Sequence, residues 1–162
     1  MTPEFEFDPV TEADFEALLA LRIRAMRASL ERLGRFDPQR AAQRFRSTFR
    51  PADTRRIWVR SQVRSRVRSR VGGEAAGCVG FWCEPGAMRI EHFYIDAAYQ
   101  RRGLGAAVLG RLFHEAMPAV TCFRVGALRG SDANRFYERH GFVRVSESEW
   151  DIDYERPGPL RT

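Results

Sequence analysis

The sequence predicts one α/β (α+β) domain over residues 1–162, a central mixed, mostly antiparallel sheet of about seven strands flanked by about four helices. Three observations carry this reading. Short apolar or alternating runs of strand length recur around segments of helical periodicity. A Gly-rich turn, Gln100-Arg101-Arg102-Gly103-Leu104-Gly105-Ala106, joins the apolar run Ile90 to Ile95 to the amphipathic run Ala107 to Met117, a strand–turn–helix that fits a βαβ-like unit. The 162 residues, 44% hydrophobic and 12% aromatic, suffice for a substantial core without disulfide or metal staples.

The elements follow in order. Phe5 to Phe7 is a short first strand. Thr11 and Asp14 form an N-terminal capping pattern for a helix with Phe15, Leu18, Leu19, Met26 and Leu30 at helical spacing, ended by Gly34. Asp37-Pro38 opens a second helix through Phe49, because Asp caps the first turn and Pro has no N–H to satisfy there. Ile57 to Val63 and Cys78 to Cys83 read as antiparallel strands. Between them Val63 to Arg70 alternates Arg with Val or Ser, and Gly72-Gly73-Glu74 supplies a turn, so residues 63–74 are expected to form an Arg-rich hairpin arm. Arg89 to Asp96 leads into the Gly turn, and Thr121 to Leu128 follows the third helix. Ser131 or Asp132 caps a fourth helix that Gly141 ends, and Phe142 to Ser146 with Trp150 to Glu155 make a closing hairpin.

The Gly-rich turn carries the chemistry. Glycines at the first turn of a helix let backbone come close to a ligand, and the unpaired N–H groups at the positive end of the helix dipole suit a pyrophosphate. Arg101 and Arg102 add cations whose forked donors match phosphate oxygens. A P-loop is excluded, because it needs a lysine and the chain has none. A dinucleotide loop is excluded too, since the spacing after Gly103 and Gly105 runs on to Val108 and Leu109 without a third glycine.

The Gln100–Ala106 stretch resembles the Q/R-x-x-G-x-G/A signature of the GNAT N-acetyltransferase superfamily. A second block, Ser131-Asp132-Ala133-Asn134-Arg135-Phe136-Tyr137-Glu138-Arg139-His140-Gly141-Phe142, is similar to that family's later helix, and Asn134 and Tyr137 fall on one helix face. The likeness in element order spans roughly residues 5–155, with the specific motifs confined to residues 90–142. It implies a GNAT fold whose sheet splays beside the strand before the Gly turn, and acetyl-CoA as cosubstrate with no metal. Phe93, Tyr94 and Ile95 would then lie along the pantetheine arm. Gln100, Arg101, Arg102, Gly103, Leu104, Gly105 and Ala106 would surround the pyrophosphate, and Asn134 and Tyr137 would flank the thioester. The backbone N–H of Ile95 would polarise the thioester carbonyl, and Tyr137, as a phenol near its ordinary pKa, would protonate the departing thiolate. Glu91 is the expected general base, directly or through water. His92 is the alternative, its side chain expected on the opposite face of the strand.

The partners follow from charge and from the far end of the chain. Glu147, Glu149, Asp151, Asp153 and Glu155 cluster around Trp150 in the closing hairpin, a pattern that would draw a cationic amine, so a small primary amine is the favoured acceptor over a peptide or protein amine. The +6 net charge is all arginine, concentrated in Arg55 to Arg70. Nucleic acid is disfavoured as a partner because no aromatics interleave the arm for base stacking. The competing class is a GNAT-fold protein that binds CoA or RNA without transferring acetyl. No apolar run is long enough to span a membrane, and Met1 to Val10 is acidic and broken by Pro3 and Pro9, so a cytoplasmic protein is expected. Cys78, Cys83 and Cys122 lack metal-ligand spacing and read as reduced core thiols. A symmetric homodimer is the expected assembly, as the commonest one for soluble proteins.

Overall fold

In the computed structural model, which describes residues 2–60 and 75–158, the strands are β1 (Phe5–Pro9), β2 (Thr54–Val59), β3 (Gly77–Glu84), β4 (Ala87–Ile95), β5 (Cys122–Leu128), β6 (Val143–Glu147) and β7 (Asp151–Pro157). The helices are α1 (Phe15–Arg32), α2 (Pro38–Thr48), α3 (Leu104–Glu115) and α4 (Ala133–Arg139). The strands form one sheet in the order β1-β2-β3-β4-β5-β7-β6, antiparallel throughout except for the parallel pair β4–β5. The Arg-rich arm expected at 63–74 lies outside the described residues.

Local signals in the sequence account for the helix ends. The Asp14 carboxylate accepts the Thr11 N–H at 2.8 Å, and the Asp37 carboxylate accepts the Gln39 and Arg40 amides at 3.0 and 3.3 Å ahead of α2. Gly34, at φ +66°, closes α1 as Arg35 N–H reaches back to Leu30 O at 2.8 Å. One boundary differs from expectation in a way that matters. Helix α3 begins at Leu104 and not at Ala107, because Gly103 takes the left-handed N-cap position at φ +79°, so Gly105 and Ala106 fall inside the first turn.

Strand alternation sends Ile57, Val79, Ile90, Phe123, Val125 and Tyr154 to one sheet face, where Leu104, Val108, Leu109 and Leu112 of α3 meet them. A helix of this length is marginal alone, and each fully buried leucine contributes roughly 1.5–3 kcal/mol, so packing rather than propensity holds α3. The other face is covered by α1 and α2, where Leu18, Leu21 and Phe45 pack on Cys78. Of the three thiols only Cys78 is a core group as expected. Cys83 is exposed and Cys122 half-buried, and burial raises the Cys78 pKa to about 12.

Two irregularities shape the centre of the sheet. Pairing of β4 with β5 runs from Ala87–Cys122 to Ile90–Val125 and then stops, while β4 stays with β3 as far as Ile95–Gly77 and β5 stays with β7 as far as Leu128–Asp151. The two strands therefore diverge. In β4 the register against β3 shifts between Cys78 and Gly80, and His92 there has φ +48°. This bulge reverses the side-chain parity of the strand. Before it, Met88 and Ile90 face the α3 core, whereas after it Phe93 and Ile95 do.

Gly77 permits the close approach of β3 to the splayed part of β4. A Cβ there would lie 2.5 Å from the Tyr94 carbonyl oxygen and 3.1 Å from Ile95 Cδ1. Gly77→Ala should cost roughly 1–3 kcal/mol and lower Tm by roughly 2–4 °C for each kcal/mol lost, read from thermal melts. An unchanged Tm would show that β3 and β4 have room to separate.

Candidate active site

The divergence of β4 and β5 opens into a cavity of about 1140 Å³. One end is walled by Phe93, Ile95, Gly103, Gly105, Phe136 and Tyr137. The other is walled by Arg22, Thr48, Glu91, His92, Gly126 and Asp153.

At the first end the Gly turn is braced before it reaches the cavity. Asp96 accepts the Ala98 N–H at 3.1 Å, and Gln100 Nε2 donates to the Ile95 carbonyl at 2.8 Å, which ties the turn to the end of β4. Gln100 thus lines the cavity through a bond that holds the backbone. Arg101 and Gly103 both adopt left-handed backbone, φ +60° and +79°. The first backbone bond at the helix start is Ala107 N–H to Gly103 O at 3.0 Å, so the amides of Leu104, Gly105 and Ala106 have no partner within the helix and sit where the dipole is positive. Arg101 lines the cavity. Arg102 does not; its guanidinium lies 5.8 Å from the Tyr99 ring centroid. Tyr99 itself lines the cavity, a wall residue the sequence reading missed. Its only signal was an aromatic one residue ahead of the turn.

The middle of β4 corrects the expectation for His92. Because of the bulge, Glu91, His92 and Tyr94 share the α1/α2 face, and Glu91 and His92 line the same cavity rather than opposite faces. Tyr94 lines the same cavity from the face opposite Phe93 and Ile95, where it packs with the α1/α2 core. Arg22 Nε lies 3.1 Å from Tyr94 Oη, His92 Nδ1 3.4 Å from the same oxygen, and His92 Nε2 2.8 Å from Thr48 Oγ1, which is 3.2 Å from the Arg44 carbonyl. Arginine can only donate. Every group is therefore satisfied when Tyr94 donates to Nδ1, Nε2–H donates to Thr48 and Thr48 donates to the carbonyl. That arrangement needs a neutral imidazole with both nitrogens engaged. Burial lowers the His92 pKa accordingly, against the opposing pull of Glu91. The Glu91 carboxylate, half-buried, pairs with Arg89 Nε at 3.3 Å.

Two expectations for α4 need amending. Asn134 is buried and does not line the cavity: its Nδ2 donates to Leu128 O at 2.8 Å and Ser131 O at 2.9 Å, and its Oδ1 accepts the Tyr154 hydroxyl at 2.8 Å. All of its polar atoms hold the turn before α4, because a buried carboxamide must find partners inside the chain. Tyr137 does line the cavity, but its pKa is not near the ordinary phenol value. Burial drives it well upward, with Tyr94 and Glu91 adding to the shift. Ile95 lines the cavity. Asp96 N–H bonds Ala76 O at 2.9 Å on the β3 side, so antiparallel alternation turns the Ile95 N–H to the side that β5 has left.

Among the described residues, three of the five acids of the closing hairpin are drawn into ion pairs. Asp151 pairs with Arg44 at 2.9 Å, Glu155 with Arg124 at 2.9 Å and Glu147 with Arg129 at 3.5 Å. Trp150 lies between Arg35 and Arg40, whose guanidinium carbons are 3.9 and 4.7 Å from its ring. The contacts of Arg44 with Asp151 and of Arg35 and Arg40 with Trp150 bridge from the α1–α2 region to the start of β7 across one side of the cavity. Asp153 accepts from Ser146 Oγ at 2.9 Å and faces the cavity beside Gly126, an exposed and bare stretch of β5 floor.

Residues 53–144, more than half of the chain, match the model of the acetyltransferase (GNAT) domain. The chain therefore belongs to the GNAT acetyltransferase family: it is an acyltransferase of the fold that binds acetyl-CoA and transfers its acetyl group. No curated protein matches the sequence. The fold is shared with solved structures of low identity. The ribosomal-protein-S18-alanine N-acetyltransferase of Escherichia coli is 15% identical with TM-score 0.61, over 98% of this chain and 97% of that one. The PaiA N-acetyltransferase of Thermoplasma acidophilum, solved with coenzyme A, is 13% identical with TM-score 0.66, over 95% and 99%. An acetyltransferase of Thermus thermophilus is 18% identical with TM-score 0.66, over 97% of each chain. Among the described residues no helix is long and apolar enough to cross a membrane, and no three His, Cys, Asp or Glu side chains gather as for a metal ion.

The neutral His92 makes stability depend on pH. The unfolded chain takes up a proton near the ordinary value of 6.5 while the folded imidazole resists it, so folding stability should fall as pH drops below 6.5 towards the lower folded value. His92→Gln should start less stable near pH 8 and lose less between about pH 6.5 and 5, by melts across that range. Parallel curves for the two proteins would overturn the neutral assignment.

Proposed function

We propose that this protein transfers acetyl from acetyl-CoA directly to a primary amine, with small molecules as the favoured acceptors. The observation that carries the reading is that the first-turn amides of α3, the outward N–H of Ile95, the Glu91 carboxylate and Tyr137 all border the gap between β4 and β5. The residues fit the cosubstrate. Leu104, Gly105 and Ala106 offer amides to the pyrophosphate with Arg101 beside them, and Phe93 and Ile95 offer an apolar wall to the pantetheine arm.

The Ile95 N–H would donate to the thioester carbonyl oxygen as charge builds there, and one such donor is worth about 3 kcal/mol. Glu91 would take a proton from the acceptor ammonium, directly or through water. The amine nitrogen then forms the new C–N bond, the C–S bond breaks with its electron pair on sulfur, and Tyr137 returns a proton to that sulfur. The raised pKa of Tyr137 keeps its proton in place at neutral pH for that step. His92 is a poor base because both its nitrogens are already bonded. A small acceptor is supported by the bridges from Arg44 to Asp151 and from Arg35 and Arg40 to Trp150, which span one side of the cavity.

Calorimetric titration with acetyl-CoA, followed by thiol release over a panel of amines, tests the reading. Gly103→Glu places bulk and negative charge at the first turn and should abolish acetyl-CoA binding. Gly103→Asn, whose side chain tolerates left-handed backbone, separates that effect from strain and should still bind. Binding without thiol release from any amine would leave a CoA-binding protein in place of an enzyme. In a second test, Tyr137→Phe should lower kcat about 100-fold with little change in the KM for acetyl-CoA. An unchanged kcat would remove Tyr137 from the proton transfer.

A further inference from the structure

We propose that Arg22 recognises a carboxylate on the acceptor, so that the substrate is a small amine that also carries one negative charge; this rests on the acetyltransferase reading above. Arg22 stands on α1 with its side chain at the α1/α2 end of the cavity, and only 7% of its surface is exposed. A guanidinium keeps its proton in proteins, so this is a buried positive charge.

Its protein partners are all neutral. Nε donates to Tyr94 Oη at 3.1 Å, Nη1 donates to the Ala41 carbonyl at 3.2 Å, and the guanidinium lies 5.7 Å from the Tyr94 ring centroid. Of the other arginines around the cavity, Arg89 has Glu91 at 3.3 Å and Arg44 has Asp151 at 2.9 Å. Arg35, Arg40, Arg101, Arg135 and Arg139 have no such partner among the described residues but are not buried, so water solvates them. Arg22 has no carboxylate partner among the described residues either. A buried charge left without a counter-ion is costly, and neutral dipoles offset only part of that cost. Nor is its remaining edge sealed in the packing. Among the described residues, the side-chain atoms that are both buried and unpartnered are Arg56 Nε and Trp58 Nε1, so Arg22 Nη2 opens on the cavity.

The surroundings select the kind of anion. Among the described residues Arg22 is the one buried arginine, and the two oxygens of a carboxylate suit its guanidinium fork. Glu91 and Asp153 in the same cavity suit an ammonium at the other end of the acceptor. Gly126, bare between Asp153 and Arg89, leaves room for the chain joining the two ends: a Cβ there would lie 3.5 Å from Asp153 Oδ1 and 3.9 Å from Arg89 Nη2. The geometry is that of a zwitterion lying across the β5 floor, its amine at Glu91 and its carboxylate at Arg22.

The test compares glycine, β-alanine and γ-aminobutyrate with their carboxamides as acceptors, by thiol release from acetyl-CoA with the full chain. The best acid should exceed its amide in kcat/KM by about 10–100-fold, the size of a charge-assisted hydrogen bond. Arg22→Gln should bring that ratio to within about threefold of unity, and Arg22→Lys should restore part of it. Calorimetry with the matching N-acetyl amino acid in the presence of CoA reads the same contact without turnover, and Arg22→Gln should weaken it by a similar factor. If Arg22→Gln no longer binds acetyl-CoA, the wild-type ratio decides alone. Amides or diamines used as well as the acids by the wild type would overturn the inference and leave acetyl transfer standing. Thiol release with none of the amines, acetyl-CoA still being bound, would sink the transfer reading and this inference with it.

Discussion

Parallel pairing between β4 and β5 ends at Ile90 and Val125, and the rest of the site depends on where it ends. Up to that point the two strands share a ladder and a common core. Beyond it, each keeps its outer neighbour, β3 on one side and β7 on the other, so the backbone stays supported while the inner edges part. A sheet normally cannot leave inner N–H and C=O groups unpaired without cost. Here the Gln100 side chain takes the Ile95 carbonyl, and the adjacent N–H faces the cavity that a thioester would enter. The unpaired edge is thus both the structural exception and the chemical resource.

The bulge at His92 sets which groups meet in that opening. By reversing parity it puts Glu91, His92 and Tyr94 on the α1/α2 face and Phe93 and Ile95 on the α3 face. Polar chemistry and the apolar wall are thereby separated across one strand. The hydrogen-bonded series from Arg22 through Tyr94 and His92 to Thr48 holds the bulge from outside, and the edge-on contact of His92 with Phe45 at 4.9 Å closes it. A left-handed non-glycine residue costs on the order of 1–3 kcal/mol and persists only when its neighbours over-determine it. Those neighbours come from β4, α1 and α2 together.

Much of this was legible in the residues. The Gly103–Gly105 turn, the Asp37-Pro38 start and the Gly34 and Gly141 stops are local signals, and each appears where local chemistry demands. The α3 start was missed by three residues because a left-handed N-cap looks in sequence like one more loop glycine. The bulge had a readable trace: apolar positions run Met88 and Ile90, then Phe93 and Ile95, a change of phase across His92 that strict alternation cannot produce. Asn134 was misplaced because a family position says nothing about what a carboxamide bonds, and only the fold shows Tyr154 and Leu128 at its side. The pairing of the hairpin acids with arginines was equally out of reach, since those partners lie between 18 and 107 residues away in the chain.

The place of β7 has a consequence for how the enzyme comes into being. β5 finds its antiparallel neighbour only in residues 151–157, while β6, made earlier, sits at the outer edge and reaches the sheet through β7. Until that late segment has emerged during synthesis, β5 presents an open edge rich in apolar residues, and the floor of the cavity has no far side. The chain must therefore be made through β7 before the cavity has both of its sides, and a chain interrupted after α4 would carry the whole glycine turn yet offer a sticky strand in place of a catalyst.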